Sequence, residues 1–167
     1  MKQFEKDFIL EKMYVLIGKK LVSITRLAAT GNICFISSSE KKYFLRPQNG
    51  FRIRTNNEIL IANLDMFEPT KSMEENPSFN WETYNWDVIG FNQYDEWTSE
   101  YNKNKENQVV VEDISISDFG DLTIKCSNDV IIELFINSAN GDECWRFFED
   151  DSEENHLVVT GQGIEKE

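Results

Sequence analysis

The chain has 167 residues, of which 40% are hydrophobic and 13% aromatic. That length and apolar content predict one domain, residues 1–167, with a sizeable core, and exclude disordered and coiled-coil classes. With 17 basic and 30 acidic side chains the net charge is −13. This excess of acid argues against nucleic acid as a partner, because phosphate contacts need Lys and Arg.

The chain begins with a predicted helix and continues with a strand-rich half. Apolar side chains at helical spacing predict a helix over residues 3–17, which Gly18 ends. From residue 20 the apolar pattern changes to a period of two, which is typical of half-buried strands. A turn is predicted at residues 30–32. The predicted strands are 20–27, 32–37, 43–46, 51–54 and 58–62.

Residues 66–107 differ in composition from both flanks. They contain three of the four tryptophans and two of the three prolines, together with many Asn and Glu residues. This predicts a long irregular connection with one short helix around residues 95–101. Its aromatic side chains predict that the connection packs onto the rest of the chain.

Strands resume after the connection. Turns rich in Asp, Asn and Gly separate them, and the polar tail 161–167 is predicted to fray. The predicted fold is α+β and mostly antiparallel, with an N-terminal helix on a sheet, sandwich or partly open barrel of about nine or ten strands. The predicted strands of this half are 109–117, 122–126, 130–136, 144–148 and 157–160.

The two strand-rich halves, residues 20–65 and 109–160, present similar features in the same order. Each has a strand, a Gly-containing turn, two strands, an aromatic-Arg strand and a closing strand. Internal duplication and two unrelated antiparallel meanders both produce such a pattern. If the halves are a duplication, Arg52 and Arg146 occupy equivalent positions.

The N-terminal residues and the cysteines bear on the compartment. Charges interrupt the first 20 residues where a signal peptide needs an apolar run, and no run approaches the roughly 18 apolar residues of a membrane span. Cys34, Cys126 and Cys144 form no CxxC pair and predict neither disulfides nor a metal site. We therefore expect a cytoplasmic protein with no membrane partner, metal or cofactor.

Charge is unevenly distributed along the chain. Residues 1–60 contain 11 basic and 5 acidic side chains, whereas residues 61–167 contain 6 and 25. A solvated acidic face that keeps the protein soluble is one interpretation. A docking surface for a basic protein partner is the other, because complementary charge speeds association and suppresses wrong partners.

Two arginines lie within aromatic or apolar strands. Arg52 and Arg146 must be paired there, since an unpaired buried charge is costly. Asp65, Asp87 and Asp95 are the predicted partners, in ion pairs that would fasten the connection to the sheet. The alternative is that the guanidinium groups bind a small anionic ligand.

The stretch from Trp86 to Trp97 combines rigid aromatic side chains with carboxylates. Such a combination is typical of interface hot spots that face basic partners. The alternative is that its tryptophans form a lid over one sheet face. The candidate binding residues in this stretch are Trp86, Asp87, Asp95, Glu96 and Trp97.

A catalytic role has weaker support. His156 is the only histidine, and no motif places a Ser or Cys nucleophile beside it. A strand-edge histidine hydrogen-bonded to backbone is the simpler interpretation. The sequence favours a protein that is not an enzyme and names no catalytic residue. Hydrolysis by carboxylates or His156 is the third alternative.

Three stretches together resemble a family of small, uncharacterised bacterial proteins. They are Phe51-Arg52 followed by Asp65, the WDxxGxNxxDE pattern from Trp86 to Glu96, and Trp145–Phe148 followed by His156–Val159. That resemblance implies no particular activity. In size and charge the chain also resembles the immunity partners of polymorphic toxins.

These observations predict a non-enzymatic, cytoplasmic protein-binding module. Its most specific form is an immunity protein that neutralises a basic toxin, and no oligomeric state is predicted. The second hypothesis is a small anionic-ligand binder that uses Arg52 or Arg146, and the third is the hydrolase.

Overall fold

The computed structural model describes residues 3–150 and 156–165. It confirms the predicted α+β class with an N-terminal helix, and its strands form two antiparallel sheets. Helix α1 spans Gln3–Met13 and continues as a 3₁₀ turn over Tyr14–Leu16. Of the apolar residues at helical spacing, Ile9, Met13 and Leu16 are fully buried and form the face that enters the core, whereas Phe8 and Val15 are exposed.

Eleven strands build the two sheets in the described part of the chain. One sheet has the order β1-β2-β3-β9-β10-β11, and the other has the order β5-β4-β8-β7-β6. The strands are β1 Lys20–Leu27, β2 Thr30–Ile36, β3 Lys42–Pro47, β4 Phe51–Arg54, β5 Ile59–Ala62, β6 Val111–Ile116, β7 Leu122–Cys126, β8 Ile131–Leu134, β9 Glu143–Glu149, β10 Leu157–Thr160 and β11 Gly163–Ile164.

The two halves of the chain are interleaved between the sheets. The first half contributes the meander β1-β2-β3 to the six-stranded sheet and the hairpin β4-β5 to the other. The second half contributes β9-β10 to the first sheet and the meander β6-β7-β8 to the second. β3 pairs with β9, and β4 pairs with β8. These two pairings join strands of the first half to strands of the second half within each sheet. Each sheet therefore needs strands from both halves.

The proposed correspondence of the halves can be compared with this topology. Replacing each strand of one half by its predicted counterpart converts the strand order of one sheet into that of the other, apart from β11. The side-chain settings differ, however, because Arg52 lies opposite Glu133 whereas Arg146 lies opposite Arg46. Origin by duplication stays a prediction.

One cluster of buried apolar side chains draws on both sheets, on α1 and on the connection. All four residues of β8 are buried, and Trp145 on β9 is fully enclosed. The three cysteines are free and buried, and they act as small core residues. Hydrogen bonds between residues 18–21 and 109–111 join the two sheets at one corner.

The predicted turn at residues 30–32 is wrong by two residues. The β1–β2 hairpin turns at residues 28 and 29, with Ala28 at φ 50°, and Gly31 lies within β2. Gly31 is required for close packing, because a Cβ there would lie 3.0 Å from both the Phe51 ring and Pro47 Cγ. Gly31 was the signal for the predicted turn, but a glycine is needed there because the backbone lies close to the side chains of Phe51 and Pro47.

The prediction that residues 161–167 fray is contradicted as far as the structure describes them. β11 pairs with β10, and Thr160 Oγ1 donates to the Gly163 carbonyl at 3.1 Å. The intervening turn packs against the β8–β9 loop so closely that a Cβ on Gly161 would lie 1.7 Å from the Ser138 carbonyl oxygen. Gly163 and Ile164 therefore continue the six-stranded sheet.

This close approach predicts the effect of adding one methyl group. Gly161→Ala should lower the free energy of unfolding by at least about 2 kcal/mol, because backbone atoms cannot move aside as a side chain can. Gly141→Ala is the matched control, since its Cβ would meet only Gln162 Oε1 at 3.8 Å. Urea denaturation of both variants measures the difference, and equal stability of the two would contradict the packing described here.

Candidate functional site

Two helices, two 3₁₀ turns and other local turns order most of the connection between β5 and β6, where the sequence predicted one short helix. Helix α3 spans Gln93–Lys103, which confirms the predicted short helix and extends it at both ends. Asn92 caps it, with Oδ1 accepting from the Asp95 backbone N–H at 2.7 Å. The other elements are a 3₁₀ turn over Asn63–Met66, the short helix α2 over Lys71–Glu74, and a 3₁₀ turn over Lys105–Asn107.

A buried arginine of β1 fastens this connection. The Arg26 side chain is 1% exposed, and its Nε and Nη2 donate to the two oxygens of Asp95 at 2.7 and 2.9 Å. Nη1 donates to Asp87 Oδ1 at 3.1 Å, and Nη2 also reaches the carbonyls of Trp86 and Asp87 at 3.2 Å. Hydrogen bonding to Asp95 raises the pKa of Arg26 above its ordinary value against the opposing effect of burial. The guanidinium therefore remains charged.

These contacts correct the predicted partners of Arg52 and Arg146. Asp87 and Asp95 pair with Arg26, and Asp65 instead accepts from the Ala62 backbone N–H at 2.8 Å. The expected tie between connection and sheet exists, but a different arginine makes it. The available signal was its position, since residue 26 is on the same face of β1 as the buried Ile24.

Helix α3 also covers the edge of β1. The Asn102 side chain accepts from the Ile24 backbone N–H at 3.0 Å and donates to the Ile24 carbonyl at 2.7 Å. The buried Tyr94 donates its hydroxyl to the Thr25 carbonyl at 3.1 Å. Side chains of the helix thus satisfy backbone groups that a neighbouring strand would otherwise pair.

Facing outward, the connection exposes apolar side chains among carboxylates. Trp81 is 56% exposed and Ile89 is 72% exposed. Phe79, Trp81 and Tyr84 are in mutual ring contact, so part of the connection packs on itself. We call the following exposed residues the connection surface: Phe67, Glu68, Glu74, Glu75, Trp81, Glu82, Asp87, Val88, Ile89, Phe91 and Glu96.

A cavity of about 300 Å³ lies beside α3, bordered by β5, the 3₁₀ turn after α3 and the β7–β8 turn. Trp97 and Tyr101 line it with their rings stacked, 5.1 Å between centroids. Glu100 and Glu106 also line it, and their residues are exposed. Sequence reasoning selected Trp97 but missed the other three. Helical spacing of positions 97, 100 and 101 was the available signal.

The two arginines selected from the sequence are engaged elsewhere. Arg52 Nε donates to Glu133 Oε2 at 2.6 Å, and Arg54 donates to both oxygens of the same carboxylate at 2.8 and 2.9 Å. Arg146 Nε donates to Glu143 Oε1 at 2.7 Å. Both carboxylates belong to the sheets, so these are cross-strand and local ion pairs within β-structure rather than links to the connection.

The single histidine lies in an aromatic and cationic setting. The ring of His156 stacks on Phe148 with centroids 4.3 Å apart, and its Nδ1 lies 3.3 Å from Arg146 Nη1. Next to it in the sequence is the acidic run at residues 149–154, which the sequence pattern favours as a solvated hairpin loop and which could contact a basic partner; most of it lies outside the described residues. Within residues 3–150 and 156–165, no group of three or more His, Cys, Asp or Glu side chains is placed to hold a metal ion.

The selected residues therefore fall into three places. Trp86, Asp87 and Asp95 gather around Arg26, with Glu96 exposed on the adjoining turn of α3. Trp97 borders the cavity, while Arg52 and Arg146 lie on the two sheets. Among the helices in the described residues, none is long and apolar enough to cross a membrane.

No protein-family model matches the chain, and comparison with curated proteins and with solved structures finds no match either. The resemblance to a bacterial family and to immunity proteins therefore stays a prediction.

The buried pair predicts a large loss of stability when one charge is stranded. Arg26→Met should lower the free energy of unfolding by about 3 kcal/mol, because it leaves the Asp95 carboxylate buried and unpaired. Arg54→Met is the control, since that side chain is 28% exposed. Adding Asp95→Asn to Arg26→Met should recover part of the loss. Urea denaturation measures the stability of all three variants. A loss in Arg26→Met no greater than that in Arg54→Met would show that the Arg26–Asp95 pair does not hold the connection to the sheet.

The Glu133 pair predicts a pH dependence of stability. The hydrogen bond from Arg54, and then that from Arg52, holds the pKa of Glu133 below its ordinary value of 4.5 although burial opposes the shift. A depressed pKa contributes stability above pH 4.5 that is lost as pH falls through the lower folded value.

Glu133→Gln should therefore cost about 1 kcal/mol near neutral pH, with the difference from wild type shrinking as the solution is acidified below 4.5. Urea midpoints measured at several pH values test this. Glu112→Gln, at an exposed position on β6, should show no such convergence.

Proposed function

We propose that the chain is a non-enzymatic protein-binding module whose connection surface takes a basic protein partner. The observation that carries the proposal is the contrast between the two sides of the connection. Its inner side is held by the enclosed Arg26, while its outer side exposes Trp81 and Ile89 among carboxylates. An irregular segment held in one conformation loses less entropy on binding than a free loop does.

The charge of the segment indicates the chemistry of the partner. Residues 61–107 contain 10 acidic and 3 basic side chains. Among the exposed carboxylates of the connection surface, Asp87 is paired with Arg26, whereas Glu68, Glu74, Glu75 and Glu82 form no ion pair with described residues. Unpaired carboxylates beside aromatic side chains favour Lys- and Arg-rich surfaces. An immunity protein that neutralises a basic toxin is the most specific form of the proposal.

The alternatives have less geometric support. A small-anion site needs a guanidinium that is available to the ligand, but Arg52 and Arg146 already donate to Glu133 and Glu143. The cavity beside α3 is lined by carboxylates and aromatic rings, which do not suit an anion. Hydrolysis by His156 or by carboxylates stays a prediction, and no arrangement of side chains within residues 3–150 and 156–165 favours it.

Site-specific photo-crosslinking tests the proposal. A benzophenone amino acid placed at position 89 should capture a basic protein in lysate of the source cells. The same residue at position 119, where Phe119 is 78% exposed on the β6–β7 turn, should not. Because exposed charges are screened by salt, capture should fall steeply between low salt and about 0.5 M NaCl.

Two charge-reversed proteins of equal net charge provide the matched control. Glu74, Glu75 and Glu82 changed to Lys should abolish capture at position 89. The same change at Glu11, Glu40 and Glu112, which are exposed elsewhere, should leave it within about twofold. Equal capture at positions 89 and 119, or equal effects of the two triple variants, would exclude the connection surface as the docking site.

A further inference from the structure

We propose that the cavity beside α3 binds the guanidinium group of one arginine side chain of the protein partner. This inference rests on the proposed function, because it names the anchor by which a basic partner is held. Its support comes from the ring stack, the unpaired carboxylates and the apolar walls of the cavity.

The aromatic wall suits a flat cation. Trp97 and Tyr101 are one helical turn apart on α3, and their rings are stacked within 22° of parallel. A guanidinium is planar and weakly hydrated, and it stacks on aromatic faces better than an ammonium group does. The Tyr101 hydroxyl donates to the Asn107 carbonyl at 2.8 Å, which fixes the ring. Burial raises the pKa of Tyr101 to about 12, so the phenol contributes no charge of its own near neutral pH.

Two carboxylates supply the negative charge. Glu100 lies on the same face of α3 as Trp97, and Glu106 is in the 3₁₀ turn that follows. Neither carboxylate has an ion pair or a side-chain hydrogen bond in the described part of the chain. Lys103 and Lys105 are close in sequence, but neither is among the residues lining the cavity or pairs with these carboxylates. A cation that enters therefore meets acceptors that are not already engaged.

The volume and the apolar walls of the cavity suit one arginine side chain. Leu60, Val109 and Val130 form apolar walls that can cover the methylene groups of an arginine. The volume of about 300 Å³ is at the small end of ligand pockets, which run to roughly 1,000 Å³. Arginine is also among the residues most enriched at the centres of protein interfaces.

Titration with short peptides tests the inference directly. The probes are acetyl-Gly-Arg-Gly-amide and the same peptide with citrulline, which keeps the shape of arginine but carries no charge. Binding is followed by the indole N–H resonance of Trp97 in the full chain, assigned by its disappearance in Trp97→Phe. The arginine peptide should shift this resonance saturably, and the citrulline peptide should bind at least about fivefold more weakly.

Variants then identify the carboxylates. Glu100→Gln with Glu106→Gln should weaken the arginine peptide about tenfold. Glu11→Gln with Glu112→Gln, which removes two charges at exposed positions elsewhere, should leave its affinity unchanged. Dispersed spectra of both proteins show that they are folded. A third probe, acetyl-Gly-Lys-Gly-amide, compares lysine with arginine. The assignment would be overturned by equal binding of the arginine and citrulline peptides, by an unchanged affinity in the Glu100→Gln, Glu106→Gln variant, or by tighter binding of the lysine peptide.

The inference and the proposed function fail separately. A silent Trp97 resonance together with position-specific capture at residue 89 would reject the arginine pocket and keep the basic partner. A carboxylate-dependent shift of Trp97 without any such capture would keep a guanidinium site and reject the connection surface as the place where a partner docks.

Discussion

A guanidinium withdrawn from water must be surrounded by acceptors, and this requirement organises the segment between β5 and β6. Arg26 is enclosed in the fold and can remain charged only if Asp95, Asp87 and the carbonyl of Trp86 converge on it. Asp95 comes from the first turn of α3 and the other two groups come from the loop before it. One side chain therefore sets the start of the helix, the path of the loop and the direction in which the remaining side chains face. Val88 and Ile89, which follow Asp87 in this loop, are exposed.

The asymmetry of charge along the sequence becomes a set of contacts in the fold. Basic residues of the first third meet acidic residues that follow much later, as in Lys6 with Asp118, Arg26 with Asp95 and Arg52 with Glu133. Six of the eleven basic residues in positions 1–60 form ion pairs with later carboxylates of the described residues, whereas Glu68, Glu74, Glu75 and Glu82 of the connection form none there. This imbalance is the physical basis of the proposal that a basic partner supplies the neutralising charge. The cavity beside α3 repeats the same situation on a smaller scale, with Glu100 and Glu106 next to a ring stack.

Local patterns predicted elements better than they predicted partners. The strands at 20–27, 51–54, 122–126 and 157–160 coincide with the observed ones, because alternation of apolar residues reports which face of a strand is buried. The helix in the connection was also predicted, and the observed helix is two residues longer at each end. The ion pairs were assigned wrongly, since the choice between Arg26 and Arg52 depends on which strands become neighbours, and no local pattern encodes that pairing.

The tail was expected to fray because it is polar. Its order comes from backbone pairing with β10 and from the close approach of Gly161 to the Ser138 carbonyl, and composition reports neither. Of the candidate site, Trp97 was found because tryptophan is conspicuous, whereas Glu106 became relevant only when the chain turned back after α3.

The interleaving of the halves has a consequence for folding during translation. When the first half leaves the ribosome, β3 and β4 have no neighbours on the sides that later receive β9 and β8. Both strands then present unsatisfied backbone groups and apolar side chains until their partners have been made, because 76 residues separate β4 from β8 and 95 residues separate β3 from β9. Contacts so distant in sequence form slowly, because the chain loses the entropy of closing a long loop before the contacts contribute any favourable free energy. The nascent chain is therefore exposed to mispairing with a second copy for much of its translation.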